Sequence, residues 1–218
     1  MNIEKSIDLF LVGRGKNRGR KPDERYASFD YCYNYFYSFY RQGKLSELAT
    51  DDNIQVSCLQ IGFYLASWGM MRGSSFLLEK SVRHYKKLIT TISEMDPKLW
   101  EIDVNNYTDK NIQMLLNCKN DIIKALGEKN NPTDTLVTKI MLGVFANVPA
   151  FDQYFNRSMH VYKLNEKSLK KIRDFYLENK KAIDKYQIRT FDFITSEETD
   201  ITYTKAKLID MCGFMDGQ

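Results

Sequence analysis

Residues 53–75, NIQVSCLQIGFYLASWGMMRGSS, constrain the fold more than any other stretch. Ile54, Cys58, Ile61, Leu65 and Trp68 recur at steps of four, three, four and three, and Val56, Leu59, Phe63, Ala66 and Met70 form a second apolar stripe beside them. A helix apolar on two faces belongs inside a protein, so this spacing predicts a buried central helix over about 54–70. Gly69 and Gly73 bracket Met70, Met71 and Arg72, and Ser74 or Ser75 is placed to cap a new helix, which predicts a tight corner. The fold class expected is all-α: one domain, an orthogonal helical bundle wrapped around this helix.

The 218 residues are enough for one substantial core, and no Pro, Gly or Ser-rich linker divides them. An apolar share of 43% excludes a disordered chain, and no apolar run approaches bilayer length. At the N-terminus the basic cluster follows a short apolar stretch, the reverse of a signal peptide. A soluble, cytoplasmic protein with no membrane partner is expected. Cys32, Cys58, Cys118 and Cys212 are scattered without metal-site or redox spacing, and His84 and His160 are the only imidazoles. Four reduced thiols and no metal site are expected.

Ile3 to Leu11 reads as a short amphipathic helix ending at Gly13. The following segment, GRGKNRGRKP, carries Arg14, Lys16, Arg18, Arg20 and Lys21 with three glycines and no acid. A flexible basic loop over 13–21 follows, and it has two readings: a phosphate grip on DNA or RNA, since Arg pairs with phosphate oxygens, or a solvated surface loop. The whole chain is only +4, short of a dedicated nucleic-acid coat. The loop lacks both the Gly-Lys-Ser/Thr ending of a nucleotide loop and dinucleotide glycine spacing, so neither ATP nor NAD is implied and no cofactor is expected.

Pro22 suits the first turn of a helix running to about Arg41, with Tyr26, Phe29, Tyr33, Phe36 and Tyr40 inward. Tyr31, Tyr35, Tyr37 and Phe39 are left for other faces. They either stack bases or serve as core or a subunit contact, and a homo-oligomer through this Tyr-rich helix is one expectation. After Gly73, a stripe of Leu78, Val82, Tyr85, Ile89 and Ile92 predicts one helix to about Met95. A helix capped by Thr108, one beginning at Pro132 or Thr133 and interrupted at Val148-Pro149, and one capped by Asn165 follow, and an irregular or extended stretch precedes a terminal helix near Lys205.

The segment TKIMLGVFANVPAFDQYFNR, Thr138 to Arg157, runs from an apolar helix through a Pro turn to Asp152, Tyr154, Phe155 and Arg157. It resembles the part of helix-hairpin-helix DNA glycosylases in which a proline turn leads to the catalytic aspartate. The resemblance implies Asp152 near a helix start, stabilising a cationic sugar or orienting a nucleophile. The hairpin ahead of it departs from the family pattern, reading NNPTDTLV where Leu-Pro-Gly-Val-Gly is usual. Read from the residues alone, Asp152 is also a helix cap after Pro149. SWGMMRG together with VPAFDQYF is similar to uncharacterised bacterial proteins of this size.

Three function classes stand. The chain is a nucleic-acid-associated protein using Arg14, Lys16, Arg18, Arg20 and Lys21; or an interaction module built on the Tyr-rich helix; or a glycosylase-type enzyme using Asp152 in a pocket near Trp68 and Arg72.

Overall fold

Asn2 begins the fold by accepting the Lys5 amide at 3.0 Å, and the helix it caps, α1 (Ile3–Val12), stops at Gly13, whose φ of 81° only glycine adopts without strain. In the computed structural model, which describes residues 1–15 and 18–218, nine further helices follow: α2 (Ser28–Arg41), α3 (Ile54–Ser67), α4 (Lys86–Ser93), α5 (Asp109–Leu126), α6 (Asp134–Phe145), α7 (Gln153–Met159), α8 (Glu166–Glu178), α9 (Lys180–Ile183) and α10 (Lys205–Asp216). One small antiparallel hairpin, β1 (Arg189–Phe191) with β2 (Glu198–Thr202), sits before α10; its register slips between Arg189 and Phe191. The fold is all-α. Thr108, Thr133 and Asn165 cap α5, α6 and α8 as their sequence positions require. No helix among the described residues is long and apolar enough to cross a membrane.

The centre of the core is not where the apolar stripes place it. All ten residues from Leu136 to Phe145 of α6 are buried, as are the nine from Ala206 to Phe214 of α10. Helix α3 is embedded on one face only: Ile61 and Leu65 are fully enclosed, while Val56, Leu59 and Phe63 are exposed, Phe63 at 72%. The reason is the set of neighbours. α2, α4, α6 and the turn at 82–85 pack against α3, and Gly62 lets Tyr85 approach so closely that an added Cβ would lie 3.3 Å from its ring. Of the second stripe only Met70 is packed against the core.

Two helix starts also differ from expectation. α2 begins at Ser28, not Pro22, because the chain first folds back to bury Arg20 against Asp30 in the first turn of α2. The run after Gly73 is not one helix: Ser75 caps a short 3₁₀ turn at Phe76–Glu79, Lys80 and Ser81 are extended, and a second 3₁₀ turn at Val82–Tyr85 leads into α4, leaving Leu78 exposed.

The spare aromatics of α2 are engaged within the chain. The Tyr31 hydroxyl donates to the Pro22 carbonyl at 2.8 Å and its ring meets Phe193 edge-on. Tyr35 shares a 2.8 Å hydrogen bond with Ser57, Phe39 leans on Tyr35, and Tyr37 lies between Tyr33 and Tyr40. All four are half-buried. All four cysteines are buried and unpaired.

Candidate functional site

Three separate parts of the sequence meet in one cleft of about 1120 Å³, a little above the usual size of ligand pockets. Arg18 comes from the basic loop, Trp68 and Arg72 from the corner after α3, and Asp152 from the turn before α7; Arg25, Lys139 and Tyr154 complete its polar and aromatic wall.

Each wall is held by local chemistry. Trp68 ends α3, with the next residue, Gly69, at φ 76°; the Met70 amide then donates back to the Leu65 carbonyl, and the Ser75 hydroxyl donates to the Met70 carbonyl. On the other side, Ala146 in the left-handed region ends α6, and Pro149 prevents the helix from resuming. The segment between is tied down by Phe151, whose amide donates to the Thr138 hydroxyl at 2.8 Å, and by Ala150, whose amide donates to Asp210 at 3.0 Å. Asp152 therefore arrives at the start of α7 in a fixed position.

Asp152 is a helix cap and also a cleft residue. Its Oδ1 accepts the amides of Tyr154 and Phe155, both at 3.0 Å, while its Oδ2 accepts Lys139 Nζ at 3.1 Å. Lys139 is nearly fully enclosed, and its ammonium lies 5.0 Å from the centroid of the Trp68 ring. A second buried pair, Lys207 with Asp210 at 2.9 Å, lies on the far side, with Lys207 Nζ 4.6 Å from the Phe29 centroid and 5.5 Å from that of Trp68. Rings carry this arrangement: Phe10, Tyr26 and Trp68 form a stack, closed edge-on by Phe214.

The basic loop does not act as one unit. Arg18 reaches the cleft rim and pairs with Glu24 at 3.2 Å, its own side chain 75% exposed. Arg14 and Lys21 are exposed but do not line the cleft, and Lys16 lies outside the described residues. Arg20 departs from the expected phosphate role. Its side chain is 4% exposed, it donates to Asp30 Oδ2 at 3.0 and 2.7 Å and to the Arg189 carbonyl, and its guanidinium stacks 3.8 Å over the Phe191 ring. Asp30 also accepts the Tyr203 hydroxyl and the Phe191 amide; burial pushes its carboxyl above the ordinary range against these favourable partners. Arg20 thus fastens the loop to α2 and to the hairpin.

Arg25 carries no signal in the sequence, where it is one more charge in the first turns of an expected helix; it stands instead at the start of a 3₁₀ turn, its guanidinium 5.3 Å from the Trp68 centroid. Tyr154 has its signal in its place two residues after Asp152. Phe214 has none, because α10 is separated from the rest of the site by about sixty residues of chain. No cluster of His, Cys, Asp and Glu suited to a metal ion occurs among the described residues. Comparison of the chain with protein-family models, curated proteins and solved structures finds no match, so the functional reading rests on this geometry.

Proposed function

We propose that the protein associates with nucleic acid through this cleft, with backbone phosphates meeting Arg18, Arg25 and Arg72 and an unstacked base meeting the aromatic wall. The observation that supports the reading is the convergence of the loop's Arg18 with Trp68 and Arg72, since charge beside flat rings is the combination that holds single strands. The test is affinity for single-stranded DNA, duplex DNA and RNA at several salt concentrations. Binding weakens as salt rises, and the Arg18→Ala, Arg25→Ala, Arg72→Ala variant flattens the logarithmic slope by about 0.7–0.9 for each phosphate that the arginines no longer neutralise. Arg20 is left intact in that variant because its removal perturbs the fold. Equal slopes for both proteins, or no binding at low salt, would sink the reading.

A second reading is favoured by Lys139 lying 3.1 Å from Asp152 inside the same cleft. Here the cleft hosts base release: the sugar–base bond breaks with its electron pair leaving on the base, Asp152 stabilises the cationic sugar, and a water adds and gives up a proton to the carboxylate. Asp152→Asn keeps the Oδ1 cap but loses the charge. Intact strand binding with lost base release supports this reading; a wild type that releases no base from damaged or mismatched strands removes it.

A further inference from the structure

We infer that the Trp68 corner of the cleft is a phosphoryl-anion site, in which Arg25 and Arg72 neutralise the charge and the indole N–H of Trp68 donates to one of its oxygens. The inference rests on the cleft being a ligand site and specifies what that ligand carries.

Two guanidiniums are brought to consecutive residues. Arg25 lies 5.3 Å from the Trp68 ring, and Arg72 lies so close over Gly69 that an added Cβ would stand 2.7 Å from its Nε. The glycine, at φ 76°, is what permits both the corner and the close approach of the arginine. The two acidic side chains lining the cleft are committed elsewhere, Glu24 to Arg18 and Asp152 to Lys139. Neither Arg25 nor Arg72 pairs with a carboxylate among the described residues. Like charges gathered without a counter-charge are relieved by an anion.

The third donor is Trp68 Nε1, which is buried and has no acceptor among the described residues. An unpaired buried N–H is costly, and its ring lines the cleft. The nitrogen itself is shut from solvent, so binding of the anion must open the corner to it. Two guanidiniums with paired donors suit the several oxygens of a phosphoryl group, and the second charge where it is a terminal monoester, better than the two oxygens of a carboxylate.

The chain has two tryptophans, which makes the site directly readable. Trp100 Nε1 already donates to the Val144 carbonyl at 3.0 Å in the core and serves as the internal reference. In the proton–nitrogen correlation spectrum of the labelled protein, Trp68→Phe assigns the two indole signals. Titrating inorganic phosphate against chloride at matched ionic strength moves the Trp68 signal saturably and leaves Trp100 in place, and the Arg25→Ala, Arg72→Ala variant loses the shift. A stationary Trp68 signal, an equal drift of both signals, or a shift undiminished in the double variant overturns the site. Oligonucleotides with and without a 5′-phosphate then separate the sources: a shift with the phosphorylated strand alone marks a strand end, and a shift with both marks the backbone. A saturable phosphate shift without any strand binding removes the nucleic-acid reading and keeps the anion site, whereas strand binding with a stationary indole signal does the reverse.

Discussion

Without its guanidinium partner, the Asp30 carboxylate would be left fully buried with the Tyr203 hydroxyl and the Phe191 amide as its remaining donors among the described residues. Breaking a buried pair from one side is costly because the surviving charge has no water to return to. Arg20→Ala is therefore expected to cost about 3–5 kcal/mol in a denaturant titration, while Arg18→Ala, in the same loop but largely exposed, stays within about 0.5 kcal/mol. Equal small effects would show that the buried pair is dispensable. The two arginines are indistinguishable by residue type and loop composition. What separates them is an acid ten residues on, in the first turn of α2, and no local spacing marks that pairing. Asp152 was legible because a Pro turn followed by an acid announces a cap, whereas its pairing with Lys139 needed the fold to bring α6 beneath the turn.

At the level of elements, α3 shows how far periodicity carries. An apolar stripe says that a face is compatible with burial, and only the neighbours decide whether it is buried; α2, α6 and the turn at 82–85 cover one side of α3 and leave the other open. Leu65→Ala should accordingly cost about 2–5 kcal/mol through its cavity, and Phe63→Ala on the open face less than about 0.5 kcal/mol. A large effect at Phe63 would mean that the exposed stripe is covered in solution. The junction of α8, α9 and α10 carries a pH dependence of its own. Lys180 pairs with Asp184, Lys205 Nζ lies at 3.0 Å and the Tyr176 hydroxyl at 3.0 Å, and together they hold the Asp184 carboxyl down at about 2. A carboxyl with a lowered folded pKa contributes stability above its unfolded value, and that contribution disappears as pH falls from about 4 through about 2. The side chain is 31% exposed, so solvent screening keeps the gain small. Asp184→Asn is expected to flatten the stability profile over that interval, lowering stability slightly near neutrality and converging with the wild type below about pH 2; a profile that keeps its acid slope would assign the dependence to other carboxyls.

For the whole molecule, the depth of α6 and α10 decides which part opens last. Leu136 to Phe145 and Ala206 to Phe214 are enclosed without a break, and small residues permit that density: an added Cβ at Gly143 would stand 2.5 Å from the Tyr64 ring, and one at Gly213 would stand 2.4 Å from Phe155. Gly143 looks like an ordinary helix weakness in the sequence, since glycine lowers helix propensity, and its role emerges only once α3 is laid across α6. Amide exchange reports the free energy of opening each segment, and segments with complete side-chain cover exchange only through global unfolding. Peptides from α6 and α10 are thus expected to retain deuterium protection longest in native-state exchange followed by mass spectrometry, with α3 exchanging earlier through its solvent-facing side and the corner at 69–75 earliest of all. Gly143→Ala, which forces Tyr64 to move, should cost about 1–3 kcal/mol and bring α6 exchange forward by the same free energy. Protection of α3 outlasting that of α6 would return the centre of the fold to the stretch at 54–70 and make α6 a supporting helix.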